Sequence, residues 1–487
     1  MPPHFALGFI DEGKPGNYSS VSHSSEHSDL SKLIRLAKLY CLLLGLFVGF
    51  YRCPATAEAF RVTHQGAAAT GQANAFAAQA DDPSALYYNP AGISQLSGVN
   101  VLFGTNLING STRFESQSGT RTNGDLDGDI AIPPPSSFYF TADVGNLGLE
   151  AIEKFSLGLG VFNPYGLRTR YPDESPISTA AVFGSLPLIE IRPVIAIALS
   201  RKLSIALGLD IYTFSNLIAH GETRIQFRNP GIPTLSPGAM LEFRGDGTAI
   251  GFNAGLLFTP LQYSDGKAKL SFALTYQNRS NLKLAGIFLA NNAEISSASA
   301  TLNLPRVYTA GLAYWPIHNA NREWKVEVDV DYSDWHNFDD LDIHLGNGFT
   351  LPFPQDWTSS IAVKWGTEYT RFKPDFLPDW DISVRGGYSF TDSPMPDRTF
   401  TPIVADANYH TLAFGAGLTC RGNGYFFGLI PCKGSFGGFK ISAISLDLSY
   451  QGIFYETRFV SGNVNPNVDG RYSTFVNAGG ISMRIGL

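Results

Sequence analysis

From about residue 98 to Leu487 the chain alternates between apolar and polar positions. In Trp324–Ser333 the apolar set is Trp324, Val326, Val328, Val330 and Tyr332. It interleaves with Lys325, Glu327, Asp329, Asp331 and Ser333. Period two is the repeat of a strand whose two faces meet different media. Phe155–Val161, Ile205–Tyr212, Ile444–Gln451 and Ile481–Leu487 repeat it. About fourteen segments are predicted, near 98–115, 135–144, 154–164, 189–202, 203–216, 247–261, 267–285, 300–315, 324–340, 358–372, 379–392, 409–419, 440–457 and 474–487. Charges on one face exclude a dry core there, so that face is wet. The apolar face meets either lipid or a second sheet. A soluble sandwich is therefore the competing fold. Two features weigh against it: the segments run roughly 10 to 20 residues, where globular strands average about five or six, and no helical pattern interrupts them. The prediction is an all-β protein, a 14-stranded antiparallel transmembrane β-barrel over 98–487. An even count places both chain ends on the periplasmic side. Beyond the leader no stretch approaches 18 uninterrupted apolar residues, so a membrane crossing falls to a closed sheet.

The front of the chain reads differently. Residues 1–29 are polar and rich in Ser and His, and are expected to be disordered or foreign to the native product. Residues 30–59 resemble a signal peptide. Lys32, Arg35 and Lys38 precede the apolar Leu39–Tyr51, and Ala55-Thr56-Ala57 and Ala57-Glu58-Ala59 fit a small-x-small cleavage site. The alternative is a retained anchor. Gly66–Gly92 is dense in Ala and Gly, carries only Asp81 and Asp82 as charges, and ends in Asn89-Pro90-Ala91-Gly92. Small residues let backbone pack on backbone, and Asp-Pro and Asn-Pro pairs turn the chain. Residues 60–97 are read as a plug filling the bore; the alternative is an ordinary Ala-rich helix followed by a turn.

Composition sharpens this picture. Charged residues are 16% of the chain, below the roughly 25% of soluble domains. The 50 Gly, 35 Phe and 21 Tyr suit lipid-facing strands with aromatic girdles. A net charge of −7 without a dense Lys/Arg run gives no support for nucleic-acid binding. Ser200–Leu203 and Leu261–Lys267 are tight inner connections, whereas Asn216–Asp246 and Leu284–Ser299 are long outer ones. The first outer connection carries Ile232, Leu235, Met240, Leu241 and Phe243; the second carries Ile287, Phe288 and Leu289. Apolar side chains in loops that face water suggest capture of a greasy molecule, with loop-on-loop packing as the alternative. In an oxidising compartment Cys420 and Cys432 are expected to pair, worth about 3 kcal/mol by chain entropy; two free thiols are the alternative. Cys41 and Cys53 leave with the leader. No Gly-x-x-x-x-Gly-Lys-[Ser/Thr], His-Glu-x-x-His or Cys-x-x-Cys motif is present. His336 and His344, near Asp334 and Asp342, read as solvated loop residues. No catalytic residue, metal or cofactor is predicted.

Several stretches together resemble the FadL/TodX family of outer-membrane transporters, which carry long-chain fatty acids or hydrophobic aromatics into Gram-negative bacteria. They are Ala80-Asp81-Asp82-Pro83, Asn89-Pro90-Ala91, Asn163-Pro164-Tyr165-Gly166-Leu167, Asn253-Ala254-Gly255, Thr301-Leu302-Asn303-Leu304-Pro305, Tyr332-Ser333-Asp334-Trp335 and Asp392-Ser393-Pro394-Met395-Pro396. The resemblance implies a 14-stranded barrel with an N-terminal hatch containing the Asn-Pro-Ala turn. It also implies a third strand, about Phe155–Gly166, kinked so that the wall opens sideways. Phe60 matches the family position where an N-terminal aromatic occupies the ligand pocket. The family usually ends in an aromatic residue read by the barrel-assembly machinery; this chain ends in Leu487, a departure that weakens the signal.

The function these readings imply is passive uptake of a hydrophobic small molecule by a monomer in outer-membrane lipid. Each buried methylene is worth about 0.8 kcal/mol, so a chain of about fourteen contributes on the order of 11 kcal/mol. Release from so tight a pocket needs a movable element, for which Asn89, Pro90, Ala91 and Gly92 are candidates. Sideways exit is expected near Asn163, Pro164, Tyr165 and Gly166. A fatty-acid carboxylate needs a cation, and Lys325, Arg385 and Arg484 are the inward candidates by period. A general diffusion porin and a structural or adhesive barrel are the alternatives.

Overall fold

The computed structural model describes residues 58–487, apart from 126–136, 216–220 and 437. The expected extension, leader and cleavage site, and Cys41 and Cys53, lie outside the described residues or, for Glu58 and Ala59, at their first positions.

The alternating segments close into an antiparallel barrel. Its strands are β1 Val99–Ser116, β2 Ser137–Gly145, β3 Lys154–Phe162, β4 Ile189–Ser200, β5 Leu203–Thr213, β6 Ala249–Gln262 and β7 Ala268–Gln277. They continue with β8 Arg306–His318, β9 Arg322–Asp334, β10 Ser360–Phe372, β11 Trp380–Thr391, β12 Tyr409–Cys420, β13 Ala443–Tyr455 and β14 Gly470–Gly486. Each pairs with the next, and β14 returns to β1 from Asn100↔Gly486 to Ser116↔Gly470. Closure leaves no unpaired edge, which lipid demands. Side-chain parity decides against the soluble sandwich. Leu207 is 63% exposed and Ile250 69% on the outer face, while Lys325, Glu327, Asp329 and Asp331 on the inner face are at most 2% exposed.

The outer connections differ from expectation. The segments 267–285 and 300–315 each break, at Asn278-Arg279 and at Pro305. Beyond the breaks the chain forms a hairpin, Ser280–Ala290 with Ala293–Leu304. Asn291 and Asn292 turn it at φ 49° and 66°, a conformation Asn tolerates. The connection 214–248 contains Thr223–Arg228 and Met240–Asp246, which pair with each other; the second also pairs with the hairpin. Backbone groups that a loose loop leaves to water are here paired in strands. Strand β9 stops at Asp334 rather than near 340, because Trp335–Phe338 turns.

Residues 58–97 contain only two four-residue helices, Ala67–Thr70 and Ala85–Tyr88, and a 3-10 turn at Pro90–Gln95. A single Ala-rich helix is not formed. This segment bonds to inward side chains of many strands. Tyr139 on β2 donates to the Gln65 carbonyl at 2.7 Å, Arg192 on β4 to Leu86 at 3.1 Å, and Gln451 on β13 to Thr70 at 2.6 Å. Ser482 on β14 accepts from Ala67 N–H at 3.0 Å. Wall glycines make room for it: a Cβ on Gly387 would stand 2.3 Å from the Gln72 carbonyl carbon.

That contact gives a prediction. Gly387→Ala is expected to leave barrel strands intact while displacing Gln72–Ala73. Hydrogen exchange should then accelerate at least tenfold at those amides and stay unchanged on β10–β12. Unchanged exchange at residues 72–73 would show that the segment does not rest on this wall.

Candidate functional site

Two environments meet where the chain enters the described structure. The upper one, at the end of the barrel carrying the long connections, is apolar. Phe60 is buried with its ring 5.1 Å from Trp335, 5.7 Å from Trp357 and 6.0 Å from Tyr165. Beside it lies a cavity whose empty volume is about 750 Å³, part of it open to solvent. Phe60, Leu186, Phe243, Leu302, Phe338 and Ile403 are among its walls. The indole N–H groups of Trp335 and Trp357 and the Tyr165 hydroxyl are buried with no partner among the described residues.

The lower environment is charged. Arg61 pairs with Glu58 at 2.7 Å and with Asp331 on β9 at 2.8 Å; Lys364 on β10 reaches the same Asp331 at 2.6 Å. Burial raises the Glu58 carboxyl above its usual range, opposed by the adjacent Arg61. Two residues back along β9, Asp329 accepts from the backbone N–H of Phe76 at 2.8 Å and of Ala77 at 2.9 Å. Glu327 accepts from Ala78 at 2.7 Å and Gln79 at 3.2 Å. Sequence reading marked Glu327 and Asp329 only as facing water. Their signal was alternate-position charge opposite a segment nearly devoid of charge. Glu190, Arg192 and Asp210, which pair at 2.5 and 2.9 Å, were also missed.

The sequence candidates fall as follows. Asn89 is buried; its amide donates to Ala77 and to Leu256 on β6, at 2.9 and 3.2 Å, and its oxygen accepts from Ala91 at 3.1 Å. Pro90 opens the turn Pro90–Gln95, and Gly92 sits where a Cβ would meet Ala80 at 2.3 Å. Strand β3 leaves the ladder at Phe162. The backbone groups just beyond it bond to the N-terminal segment: Val62 N–H to Pro164 O at 2.8 Å, Gly166 N–H to Phe60 O at 3.0 Å, and Gln65 to Asn163 O at 2.7 Å; from Gly166 the chain pairs again, with Phe183–Pro187. Tyr165 is 1% exposed.

The outer-loop residues are not an exposed surface. Leu241, Phe243, Phe288 and Leu289 are buried, and Ile232 and Leu235 pack partly buried against the same core; Met240 and Ile287 are half-buried. Leu241, Phe243 and Phe288 belong to the core cluster that contains Phe60, and Phe243 lines the cavity. Lys325 bonds Glu327 at 2.8 Å, and Arg385 bonds Glu368 and, at 2.6 Å, Asp447. Arg484 donates to Asn100 at 2.8 Å and to the Asp81 carbonyl at 3.4 Å. None of the three lines the apolar cavity. Lys325 is ten residues before Trp335, roughly 30 Å along a strand. Cys420 and Cys432 are joined as a disulfide, Cα to Cα 5.4 Å.

A closed sheet of fourteen strands with an apolar exterior and a charged interior is an integral β-barrel of a Gram-negative outer membrane. The chain belongs to the family described as outer membrane protein transport protein (OMPP1/FadL/TodX), whose model matches residues 51–423. Its fold is similar to that of a Pseudomonas aeruginosa FadL homologue, with a TM-score of 0.69 at 16% identity over 88% of this chain and 99% of that one. The Ralstonia pickettii toluene transporter TbuX gives 0.59 at 14% identity, over 87% and 98%. The Pseudomonas putida toluene transporter TodX gives 0.55 at 16%, over 83% and 94%. A stretch of 139 residues is 30% identical to the Neisseria meningitidis serogroup B protein NMB0088 and spans 28% of each chain.

The roof of the cavity carries a pH dependence. Thr401, Ile403 and Val404 line it, and nearby Asp406 is buried, with its carboxyl pushed up to about 7 by burial. Ser393 donates to it at 2.6 Å. Because the folded value exceeds the unfolded one, folding favours the protonated form. Stability is therefore greatest below the unfolded value near 4, falls between there and 7, and stays lower above. The expected penalty at pH 8 is on the order of a few kcal/mol. Asp406→Asn should raise the melting temperature at pH 8 and narrow the difference between pH 5 and pH 8; an unchanged difference refutes the assignment.

Proposed function

We propose that the protein carries hydrophobic small molecules passively across the outer membrane, with residues 58–97 as a plug in the bore. The observation that carries this reading is the apolar cavity floored by Phe60, set directly above a plug segment that is bonded around the barrel wall. The solute enters from the outer loops, past the apolar side chains of Leu241, Phe243, Ile287, Phe288 and Leu289, and displaces the Phe60 ring. Arg61 is the next residue, so that displacement pulls on its pair with Asp331. The plug then shifts about Asn89–Gly92. The solute leaves sideways near Asn163–Gly166, where the wall segment is bonded to residues 60–65. The named relatives include toluene transporters, which supports an uncharged aromatic or aliphatic cargo. The charge balance agrees: Arg224, at the cavity wall, is already held by Glu222 at 2.7 Å. An uncharged cargo leaves that pair undisturbed. The unpartnered Trp357 N–H fits a cargo bearing one acceptor oxygen.

Mass spectrometry of small molecules co-purified with the protein, after exchange into a detergent unlike the cargo, is expected to show an apolar compound that is lost in Leu302→Lys. An empty cavity that also fails to take up toluene or a long-chain alcohol would sink the proposal. Replacing Asp329 by Ala leaves two buried amides unpaired, at about 1–3 kcal/mol each. Single-channel conductance should rise well above that of the parent protein, whose plug blocks ions. Parent channels already open to ions would instead support a diffusion porin.

A further inference from the structure

The connection between β12 and β13 does not hang below the rim. It folds back over the outside of the barrel. On β12 the outward positions include Leu412 and Phe414, which are 46% and 61% exposed; on β13 they include Leu448 and Tyr450, 48% and 49%. Continuing at period two toward the rim, the same face reaches Cys420 and Ile444, which are paired across the ladder. Both are 0% exposed. They are covered by their own connection: Phe426 and Ile441 bury against them, and Trp380, Leu446, Met483 and Leu487 pack at the edges. The Phe426 ring stacks on outward-facing Trp380 at 5.7 Å. The Cys420–Cys432 bond fastens this flap to the wall.

The outer surface of the flap is apolar. Tyr425, Phe427 and Leu429 are 60%, 68% and 77% exposed. One rung above the covered row pairs Leu418 with Leu446, and the next pairs Ala416 with Leu448, already in the exposed lipid-facing belt. The flap therefore continues that belt downward. Lys433 and Lys440 are exposed on the same connection, where long cationic side chains reach phospholipid headgroups from an apolar bed.

We propose that this disulfide-fastened flap is embedded in the membrane leaflet at the rim that carries Leu487, with Tyr425, Phe427 and Leu429 among the acyl chains. It widens the lipid-facing collar on one side of the barrel. The occupant is phospholipid, because the exposed tip is contiguous with a surface that lipid already covers.

The test uses the mature protein in vesicles of phosphatidylethanolamine and phosphatidylglycerol, with nitroxide labels at Phe427→Cys and Leu429→Cys and the native disulfide verified by mass. Leu448→Cys is the lipid-facing comparator and Ser118→Cys the aqueous one. The ratio of oxygen to nickel-chelate collision is expected within twofold of the Leu448 label and at least fivefold above the Ser118 label. A ratio matching Ser118 overturns the proposal and leaves the tip as a surface for a water-borne protein. Should labelling disturb the flap, a carbene precursor on the acyl chain of the same lipids reads the unlabelled protein. Adducts within 425–429 support embedding, and adducts on β13 without any there overturn it.

Discussion

Everything in this molecule follows from the absence of water on its outer face. A backbone N–H or C=O in hydrocarbon has no partner but another backbone group. The sheet must therefore close, as β14 does on β1. Closure at fourteen strands leaves a bore, and period two sends every second side chain into it. Those side chains are polar because the intervening ones must be apolar. A chain segment lying among them needs partners for its own amides, since most of residues 66–94 are buried. Glu327 and Asp329 each accept two of those amides. Their burial is tolerable because amides and Lys325 surround them with donors. Such pairs contribute little net stability, but removing one member strands the others, so they fix position.

The two environments of the bore are joined by a single peptide bond. Phe60 belongs to the apolar cavity and Arg61 to the charged cluster. A ring in an aromatic nest is held by area and shape, without direction. A guanidinium between two carboxylates is held by direction and charge. Moving the first by a few ångströms changes little in its own energy if another apolar body replaces it. The same motion at Arg61 breaks charge-assisted bonds in a buried site. Under the proposed function, occupancy of the undirected pocket would put tension on the directed contact.

The barrel was legible because alternation is a local signal repeated many times. Strand identity survived every boundary error, and the breaks at Asn278-Arg279 and Pro305 merely split two predicted segments into wall and loop-end halves. The loop-end strands were not legible. Ile287–Leu289 is a short apolar run, and Leu241 and Phe243 flank Glu242; the pairing that brings the two stretches together, as Leu241 with Ala290, spans more than forty residues of chain. Nothing local distinguishes such a run exposed on a loop from one folded over a cavity. The cations were misjudged for a related reason. Periodicity showed that Lys325 and Arg385 point inward, but not that Glu327, Glu368 and Asp447 already hold them. Phe60 and Asn163–Gly166 were singled out by resemblance: a lone Phe carries no physical signal of its own, and an Asn-Pro pair signals a turn but not an opening in the wall.

The route out of the cavity can be argued from what lies beneath it. Directly below Phe60 are Glu58, Arg61, Asp331 and Lys364, and further down Glu327, Lys325, Glu368 and Arg385. An apolar solute descending through them would separate paired charges and gain no contact in return, while losing about 25 cal/mol for each Å² of its surface that left the apolar walls. Sideways movement meets a different barrier. Past Phe162 the third strand has left its ladder, and its carbonyls at Asn163 and Pro164 are held by Gln65 and Val62 of the N-terminal segment. On the proposed route, those bonds belong to the element that cargo would displace on moving Phe60. The step that fills the cavity would then also loosen the wall beside it. The lower path would stay closed by the ion pairs of the strands below.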